Sequence, residues 1–346
     1  MTTSPATLEI LQRGPARDTP PRTAFLYCGQ GSQTYQMARA IYDAEPRFRA
    51  CLDDLDAKMS RRIGGSVLAR LYDPERRKSQ AFDDLVYSHP AIFIVELALT
   101  RTLEAFVGPA DCLVGSSLGE LTAAVVSEAM ALDDAMDLIA HTVRELTRMT
   151  RRGGMLAVIA PRRAWDEWPE LRGCCDLAAD FGESHFVVSG RTDQIEAAQA
   201  HLERRDVGFI RLPVNHAFHS AEIDDLRPAF ATDALGIGFR PPAIPVISCV
   251  TCAPVERFTL DHLWRAIREP LLMQRTVGFL LGLDRFKAVD LGPGSTFVSL
   301  FDAAAGLRGG MAAYRVLTPL GDEMSNFRKA QQALLAGCSF ERGRLW

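Results

Sequence analysis

Apolar positions in this chain follow two recurring patterns. Short apolar runs at Thr23–Tyr27 and Asp111–Val114 predict strands, whereas the longer stretches Ala91–Phe106 and Leu132–Met149 predict helices. The stretch after His89-Pro90 is apolar on almost every face, so we expect this helix to be buried. Strands that alternate with helices predict an α/β fold with a mostly parallel sheet that is covered on both faces.

The pattern changes after Gly153-Gly154, where strands and helices follow in the order β-α-β-β-α-β. This order is typical of the ferredoxin-like arrangement, and we interpret it as a small subdomain inserted into a larger domain. The predicted strands are Met155–Ile159, Cys174–Ala179, Phe186–Gly190 and Gly208–Leu212, and the predicted helices are Arg163–Leu171 and Thr192–Arg204.

The predicted domain organisation places this subdomain inside an α/β-hydrolase-like large domain. The divisions are a flexible leader at 1–22, the large domain at 23–152 and 214–318, the ferredoxin-like subdomain at 153–213, and a C-terminal helix and tail at 319–346. Within the second part of the large domain, the elements predicted are helices at 221–232, 261–268 and 275–281, strands at 243–250 and from 288, and a short strand at 316–317. The C-terminal segment is predicted to contain a closing helix at 324–335.

Composition and charge exclude several classes of protein. A net charge of -4 argues against a general nucleic-acid-binding protein, whose surface would be basic. There is no uninterrupted apolar run of about 18 residues, and the leader lacks the apolar core of a signal peptide, so we expect no membrane association.

Eight scattered cysteines favour a reducing cytoplasm. Cys249 and Cys252 have the spacing of a metal or redox pair, but no second pair accompanies them, and we interpret them as small residues at a strand end.

The stretch Gly115-Ser116-Ser117-Leu118-Gly119 has the Gly-x-Ser-x-Gly pattern of a nucleophile elbow between a strand and a helix. Glycines at 115 and 119 would remove side chains that clash when the turn tightens. Serine is a weak nucleophile unless a base lies within hydrogen-bond reach, and His219 and His216 share a loop suited to holding one. The glycine-rich loop at 28–33 lacks phosphate-binding motifs, and its alternative use is to lend a backbone N–H to an oxyanion hole.

Four motifs occur together in one order: Cys-Gly-Gln-Gly-Ser-Gln at 28–33, Gly-x-Ser-Leu-Gly-Glu at 115–120, Asn-His-Ala-Phe-His-Ser at 215–220 and Leu-Gly-Pro-Gly-Ser at 291–295. On these motifs the chain resembles the malonyl-CoA:acyl-carrier-protein transacylase family, including the acyltransferase domains of polyketide synthases. The resemblance runs from Thr23 to about Leu317. It implies a soluble enzyme that binds no cofactor or metal and whose substrate is carried on the phosphopantetheine of an acyl carrier protein or on CoA.

The same resemblance implies the roles of individual residues. Ser117 would attack an acyl thioester and His219 would accept its proton, while the backbone N–H groups of Gln30 and Leu118 would form the oxyanion hole. His216 is the alternative base. It falls with Phe218 in the part of the family motif that reads the substrate.

Departures from the family pattern bear on the acyl group. The family usually has a histidine just before the nucleophile, and this chain has Ser116 there. It usually has a glutamine before the helix that starts with Pro-Ala, and this chain has His89 there. The arginine that pairs with a malonyl carboxylate aligns with Thr142, and Arg144 should point elsewhere on the helix. A glutamine that helps to orient the histidine aligns with Leu272. We therefore expect a pocket that does not select a dicarboxylic acyl group, since a buried carboxylate without its partner is costly.

Two activities fit such a pocket. One is hydrolysis of acyl groups from a carrier protein by a trans-acting editing enzyme of polyketide assembly; the other is transfer of a simple or unusual acyl unit to a carrier protein. An inactive scaffold that binds a carrier protein is a third hypothesis, of another class. A lipase-like α/β-hydrolase is less consistent with the sequence, because such enzymes place an acid between the serine and the histidine and lack the inserted subdomain.

Overall fold

A computed structural model of the chain describes residues 21–149, 151–230, 235–283, 286–304 and 312–336. The predicted leader lies outside the described residues except for its last two, and Arg22 is already the first residue of a strand. The strands in chain order are β1 Arg22–Tyr27, β2 Cys112–Gly115, β3 Gly153–Val158, β4 Asp176–Asp180, β5 Phe186–Arg191, β6 Phe209–Arg211, β7 Val246–Ser248, β8 Ala253–Pro254, β9 Phe286–Asp290 and β10 Ala312–Arg315.

Helices connect these strands and cover the larger sheet. In chain order they are α1 Arg39–Ala44, α2 Pro46–Ile63, α3 Val67–Leu71, α4 Leu85–Val107, α5 Leu118–Val126, α6 Leu132–Met149, α7 Arg163–Glu167, α8 Pro169–Arg172, α9 Thr192–Arg204, α10 Arg227–Phe230, α11 Leu260–Arg268, α12 Met273–Leu281, α13 Thr296–Ala304 and α14 Glu323–Leu335.

The larger sheet has six strands in the order β10-β9-β1-β2-β7-β8. All neighbouring pairs are parallel except the last, in which β8 pairs antiparallel with β7. The central strands β1 and β2 are buried along almost their whole length, because helices cover both faces of the parallel sheet. The predicted α/β fold class is confirmed, and the central strands end at the edge where the elbow and the glycine-rich loop meet.

The smaller sheet has four antiparallel strands in the order β4-β5-β3-β6. With α7, α8 and α9 they form the predicted β-α-β-β-α-β ferredoxin-like unit, which has a core of its own around Leu156, Val188 and Leu202. The helix predicted over Arg163–Leu171 is divided in two. Trp168 separates the halves in a non-helical conformation because it precedes Pro169.

The long helix α4 begins earlier than the sequence indicated. We expected His89-Pro90 to open it, but it starts at Leu85, where the Asp84 side chain accepts a hydrogen bond from the Val86 N–H. Pro90 therefore lies inside the helix, near its N-terminus. Residues from Ala91 to Thr100 are all buried, as expected.

Three further predictions of elements were wrong in extent. The helix predicted at 221–232 is a 3-10 helix, Ala221–Leu226, followed by the short α10, and its last two positions lie outside the described residues. The strand predicted at 243–250 shrinks to β7, because Pro245 has no N–H for the ladder. Val316-Leu317 is not a strand: β10 ends one residue earlier at Arg315, whose partner Asp290 is the last residue of β9.

Candidate active site

The stretch from β2 to α5 makes a sharp turn at Ser117. Ser117 has φ 56° and ψ -123°, a conformation that costs an ordinary residue energy and persists only where its surroundings enforce it. The glycines act as expected: a Cβ at Gly115 would lie 2.5 Å from the Cα of Glu120, and one at Gly119 would lie 2.3 Å from the Tyr27 carbonyl oxygen. The turn therefore closes only with glycine on both sides of the serine.

His219 lies directly beside this serine. Its Nε2 is 3.1 Å from the Ser117 Oγ, and its Nδ1 donates to the Glu269 carbonyl oxygen at 2.8 Å. Because Nδ1 carries the proton, Nε2 is free to accept one from the serine. Burial lowers the pKa of His219 to about 4, so the imidazole is neutral at pH 7. The residue has φ 57°, and its backbone N–H is fixed by the Ile267 carbonyl.

Gln30 and Leu118, the predicted oxyanion-hole residues, flank the serine. Leu118 is the first residue of α5, where backbone N–H groups have no intrahelical acceptor. The Gln30 side chain donates to Ser88 Oγ at 2.9 Å, and its Oε1 lies 3.2 Å from His89 Nδ1. Burial lowers the pKa of His89 to about 3, so this histidine is a neutral partner that holds the loop.

Buried carboxylates support the loop and the elbow from beneath. Glu96 accepts from the Cys28 backbone N–H at 2.8 Å, and burial raises its pKa well above the usual value. Asp290 accepts from the Phe297 backbone N–H at the start of α13, and burial raises its pKa to about 6. Both acids therefore fix backbone that borders the site.

Two cavities adjoin Ser117. The first, here called the cleft, has a volume of about 170 Å³ and runs between the two sheets; it is lined by residues of both, among them Gln30, Ser116, Met155, Phe181, His185 and His219. The second, here called the chamber, has a volume of about 20 Å³ and lies behind the serine; it is lined by His89, Ser117, Leu118, Leu121, Leu138, Ile139, Thr142, Phe230, Leu263 and Ile267.

The positions that depart from the family pattern are distributed over both cavities. Ser116 lines the cleft, and its hydroxyl donates to the Met273 sulfur at 3.4 Å. His89 and Thr142 line the chamber, and Thr142 is only 3% exposed. Arg144 is exposed and lines a separate groove, as its place on the helix predicted. Leu272 lies at the start of α12, and the Glu269 carbonyl, not a glutamine, orients His219.

His216 and Phe218 lie close to the site, but neither is among the described residues that line the cleft or the chamber. The His216 ring is 6.2 Å from the Phe218 ring, which in turn stacks at 6.0 Å on His89. Phe218 is buried, and the His216 Nδ1 is buried without a hydrogen-bond partner. These two residues therefore support the wall that carries His89.

Two residues in or near the site were not predicted from local sequence patterns. His185 lines the cleft and stacks on Phe181 with 4.1 Å between ring centroids. Glu120 is fully buried and accepts from Ser248 Oγ at 2.6 Å, with His262 Nε2 at 2.5 Å from its other oxygen. Glu120 is the last residue of the Gly-x-Ser-Leu-Gly-Glu motif, and this position next to the elbow was the one signal for it in the sequence.

Two other features are absent from the part of the chain that the structure describes. It contains no group of three or more His, Cys, Asp or Glu side chains that could hold a metal ion. No helix in the same residues is long and apolar enough to cross a membrane.

Comparisons with known proteins agree on one family. Residues 24–293 match the model of the acyl transferase domain. The chain is 31% identical over 307 residues to the polyketide biosynthesis acyltransferase homolog PksD of Bacillus subtilis (strain 168), which covers 89% of this chain and 95% of that protein. It is 31% identical over 312 residues to the homolog BaeD of Bacillus velezensis, covering 90% of this chain and 96% of that protein.

Solved structures give the same picture. The acyl transferase domain of SpnD, in complex with 2-(pent-4-yn-1-yl)malonyl, superposes with a TM-score of 0.78 at 26% identity, over 93% of this chain and 79% of that chain. The acyltransferase domain from the second module of the salinomycin polyketide synthase superposes with a TM-score of 0.76 at 27% identity, over 95% of this chain and 76% of that chain.

Proposed function

The chain belongs to the acyl transferase domain family, and from that premise we propose that it removes acyl groups from the phosphopantetheine of an acyl carrier protein by way of an acyl-Ser117 intermediate. The acyl group is not a dicarboxylic one, and water is the final acceptor. The observation that carries this proposal is the 3.1 Å contact between the Ser117 hydroxyl and the neutral His219 imidazole.

In the first step, Ser117 Oγ attacks the thioester carbonyl carbon as His219 Nε2 takes the hydroxyl proton. The negative charge that develops on the carbonyl oxygen is stabilised by the N–H groups of Gln30 and Leu118. The carbon–sulfur bond then breaks, and the departing thiolate takes the proton from His219. This leaves acyl-Ser117 and a free pantetheine thiol.

In the second step, a water molecule attacks the acyl-serine ester with its oxygen atom, and His219 takes a proton from that water. The ester bond breaks, and the proton returns to the Ser117 oxygen, so free acid is released and the enzyme is regenerated. The chamber is small and the adjoining cleft has about 170 Å³, so water has access to the ester once the arm has left.

The chamber walls support an uncharged acyl group. None of the described residues that line the chamber is an arginine or a lysine: Thr142 occupies the position at which the family resemblance implies an arginine for malonyl, and burial keeps His89 neutral. A carboxylate placed there would lose its hydration without gaining a cation, which costs several kcal/mol. An uncharged acyl group carries no such cost.

Transfer of an acyl unit to a second carrier thiol is the alternative function. The relatives PksD and BaeD are both described as polyketide biosynthesis acyltransferase homologs, and this description favours transfer in polyketide assembly. The first step is common to both functions, and only the acceptor differs.

Intact-protein mass spectrometry separates the possibilities. The purified full chain is incubated with carrier protein loaded with acetyl, propionyl or malonyl groups, with or without a second carrier bearing a free thiol. We expect acetyl and propionyl groups to leave the carrier as free acid. Ser117→Ala should abolish both the adduct and the turnover, whereas the neighbouring Ser116→Ala should still acquire the adduct.

Each other outcome contradicts part of the proposal. A stable malonyl adduct on Ser117 would refute the non-dicarboxylic pocket. Acyl groups that move to the second thiol faster than to water would assign the protein as a transacylase. No adduct and no turnover with any thioester, together with binding of the carrier protein, would favour the scaffold.

A further inference from the structure

Two side-chain contacts fix the peptide planes of the glycine-rich loop after β1. The Ser32 hydroxyl donates to the Gly29 carbonyl oxygen at 2.8 Å, and the Gly31 backbone N–H donates to the Gln33 side-chain oxygen at 2.7 Å. Gln30, whose N–H belongs to the oxyanion hole in the proposed function, lies between these contacts. The direction of that N–H is therefore set by neighbouring side chains as well as by the backbone.

The Ser32 contact acts directly on the Gln30 N–H, because this N–H and the Gly29 carbonyl belong to one peptide group. A trans peptide is planar, and its C=O and N–H point in opposite directions. With the carbonyl held on one side by the Ser32 hydroxyl, the N–H points to the other. Among the described residues this N–H has no bonded acceptor, so it is available to a substrate oxygen in the cleft, which Gln30 and Ser117 both line.

Neighbouring segments hold the rest of the loop. The Gln33 side-chain amide donates to the carbonyl oxygens of Phe82 at 2.9 Å and Pro213 at 2.8 Å, so the end of the loop is anchored to two other parts of the chain. The Gly-Pro-Gly turn after β9 lies against the loop, since a Cβ on Gly294 would be 3.2 Å from the Ser32 Cβ. The loop therefore keeps its course when the Ser32 hydroxyl alone is removed, and only the peptide that it held gains freedom to rotate.

We infer that Ser32 is a positioning residue of the oxyanion hole: its hydroxyl holds the Gly29 carbonyl and thereby aims the Gln30 N–H at the oxygen of the reacting carbonyl. The inference rests on the proposed acyl-Ser117 chemistry and adds to it a residue that acts through a backbone peptide. Ser32 transfers no proton. Its contribution arises in the transition state, where negative charge develops on the carbonyl oxygen.

The test compares the rate of Ser117 acylation by acetyl-pantetheine in the native chain, Ser32→Ala and Ser32→Thr. Removal of a whole oxyanion-hole donor costs about 100- to 1,000-fold in rate, so a donor that is only misaligned in Ser32→Ala should cost about 10- to 100-fold. The half-saturating substrate concentration should stay the same, because loss of an interaction made only in the transition state lowers kcat and kcat/KM equally. Ser32→Thr keeps the hydroxyl and should restore most of the rate.

The carbonyl band of the acyl enzyme gives a readout that a general loss of stability does not move. Hydrogen bonds from the oxyanion hole weaken the C=O bond of acetyl-Ser117 and lower its stretching frequency. In Ser32→Ala this band, recorded by infrared difference spectroscopy with isotope-labelled acetyl, should shift to higher wavenumber. The band arises only from folded, acylated enzyme, so a partly unfolded sample does not imitate the shift.

Ser127→Ala is the matched control. The Ser127 hydroxyl also donates to the carbonyl three residues earlier, that of Ala124, at 3.2 Å. This serine follows the end of α5 and is not among the described residues that line the cleft or the chamber. We expect Ser127→Ala to show the native acylation rate and the native carbonyl band.

Three results would overturn the inference. One is a Ser32→Ala rate equal to the native rate; another is a slower Ser32→Ala variant whose carbonyl band is unchanged; the third is a Ser32→Thr variant as slow as Ser32→Ala. In each case Ser117 would still be acylated in the native chain, and the proposed function would stand. Failure of every thioester to acylate Ser117 in the native chain would instead refute the proposed function itself.

Discussion

Gly29 lies against the nucleophile, and adding one methyl group there is a direct test of the site geometry. A Cβ built on Gly29 would lie 2.5 Å from the Ser117 Cβ and 3.0 Å from its Oγ. The backbone of Gly29 is not in the left-handed region, so Gly29→Ala introduces a contact and no conformational strain of its own. The substitution therefore acts on the position of the serine.

The size of the effect follows from these distances. Ordinary contacts of a Cβ begin at 3.4 Å, so Ser117 and residue 29 must separate by about 0.9 Å. The Ser117 hydroxyl is 3.1 Å from His219 Nε2, and a shift of that size breaks the hydrogen bond. A displacement of about 1 Å in a reacting group costs about 100-fold in rate, equivalent to roughly 2.7 kcal/mol.

The assay is the rate of acyl-Ser117 formation by mass spectrometry, with folding checked by circular dichroism and thermal unfolding. Gly154→Ala is the control, because a Cβ there meets its nearest atom at 3.7 Å, an ordinary contact. We expect Gly29→Ala to stay folded and to lose about 100-fold in rate, and Gly154→Ala to retain the native rate. An undiminished rate in Gly29→Ala would refute the assignment of Ser117 as a nucleophile positioned by this loop.

Three further outcomes are expected. The rate of Ser117 acylation should stay constant between about pH 7 and 5 and fall to half near pH 4, because the imidazolium form of His219 cannot accept the serine proton. A midpoint near the ordinary histidine pKa of about 6.5 would contradict a buried, neutral base. His219→Ala should lower that rate by about 10²–10⁴-fold without loss of secondary structure, and a loss below tenfold would identify another base. Glu120→Ala should lower the free energy of unfolding, measured in urea, by about 3 kcal/mol, because the buried Ser248 hydroxyl and the half-buried His262 ring lose their acceptor. Glu183→Ala, at an exposed ion pair, should change that free energy by about 0.5 kcal/mol or less.

The parts of the structure that the sequence predicted are those determined by short stretches of chain. The elbow needs only a strand, two glycines and a helix within a few residues, and the structure has this turn at Ser117 with φ 56°. Helical geometry likewise placed Thr142 inward and Arg144 outward, because positions two apart on a helix face different directions. The order of strands and helices was sufficient for the α/β fold with its ferredoxin-like unit.

Other parts depend on contacts that no local pattern encodes. The partner of His219 Nδ1 is a backbone carbonyl, that of Glu269, and every residue type offers the same acceptor. Glu120 and His262 are 142 positions apart and meet only because α5 and α11 pack together. The early start of α4 depends on the cap at Asp84, which outweighs the boundary that Pro90 favours.

The buried acids explain how the site keeps its geometry on loops. The carboxyl ends of the parallel strands meet at one edge, and there Glu96 holds the loop after β1, Glu120 holds the end of β7, and Asp290 holds the start of α13. Glu96 and Glu120 join segments 68 and 128 positions apart, Asp290 ties β9 to the helix that follows it, and burial makes these hydrogen bonds costly to lose. Ser117 and His219 both adopt positive φ, and strained conformations of this kind persist only in a rigid setting. The three acids do not belong to the lining of the cleft or the chamber, so substitutions at Glu96 or Asp290 should impair acylation of every thioester alike.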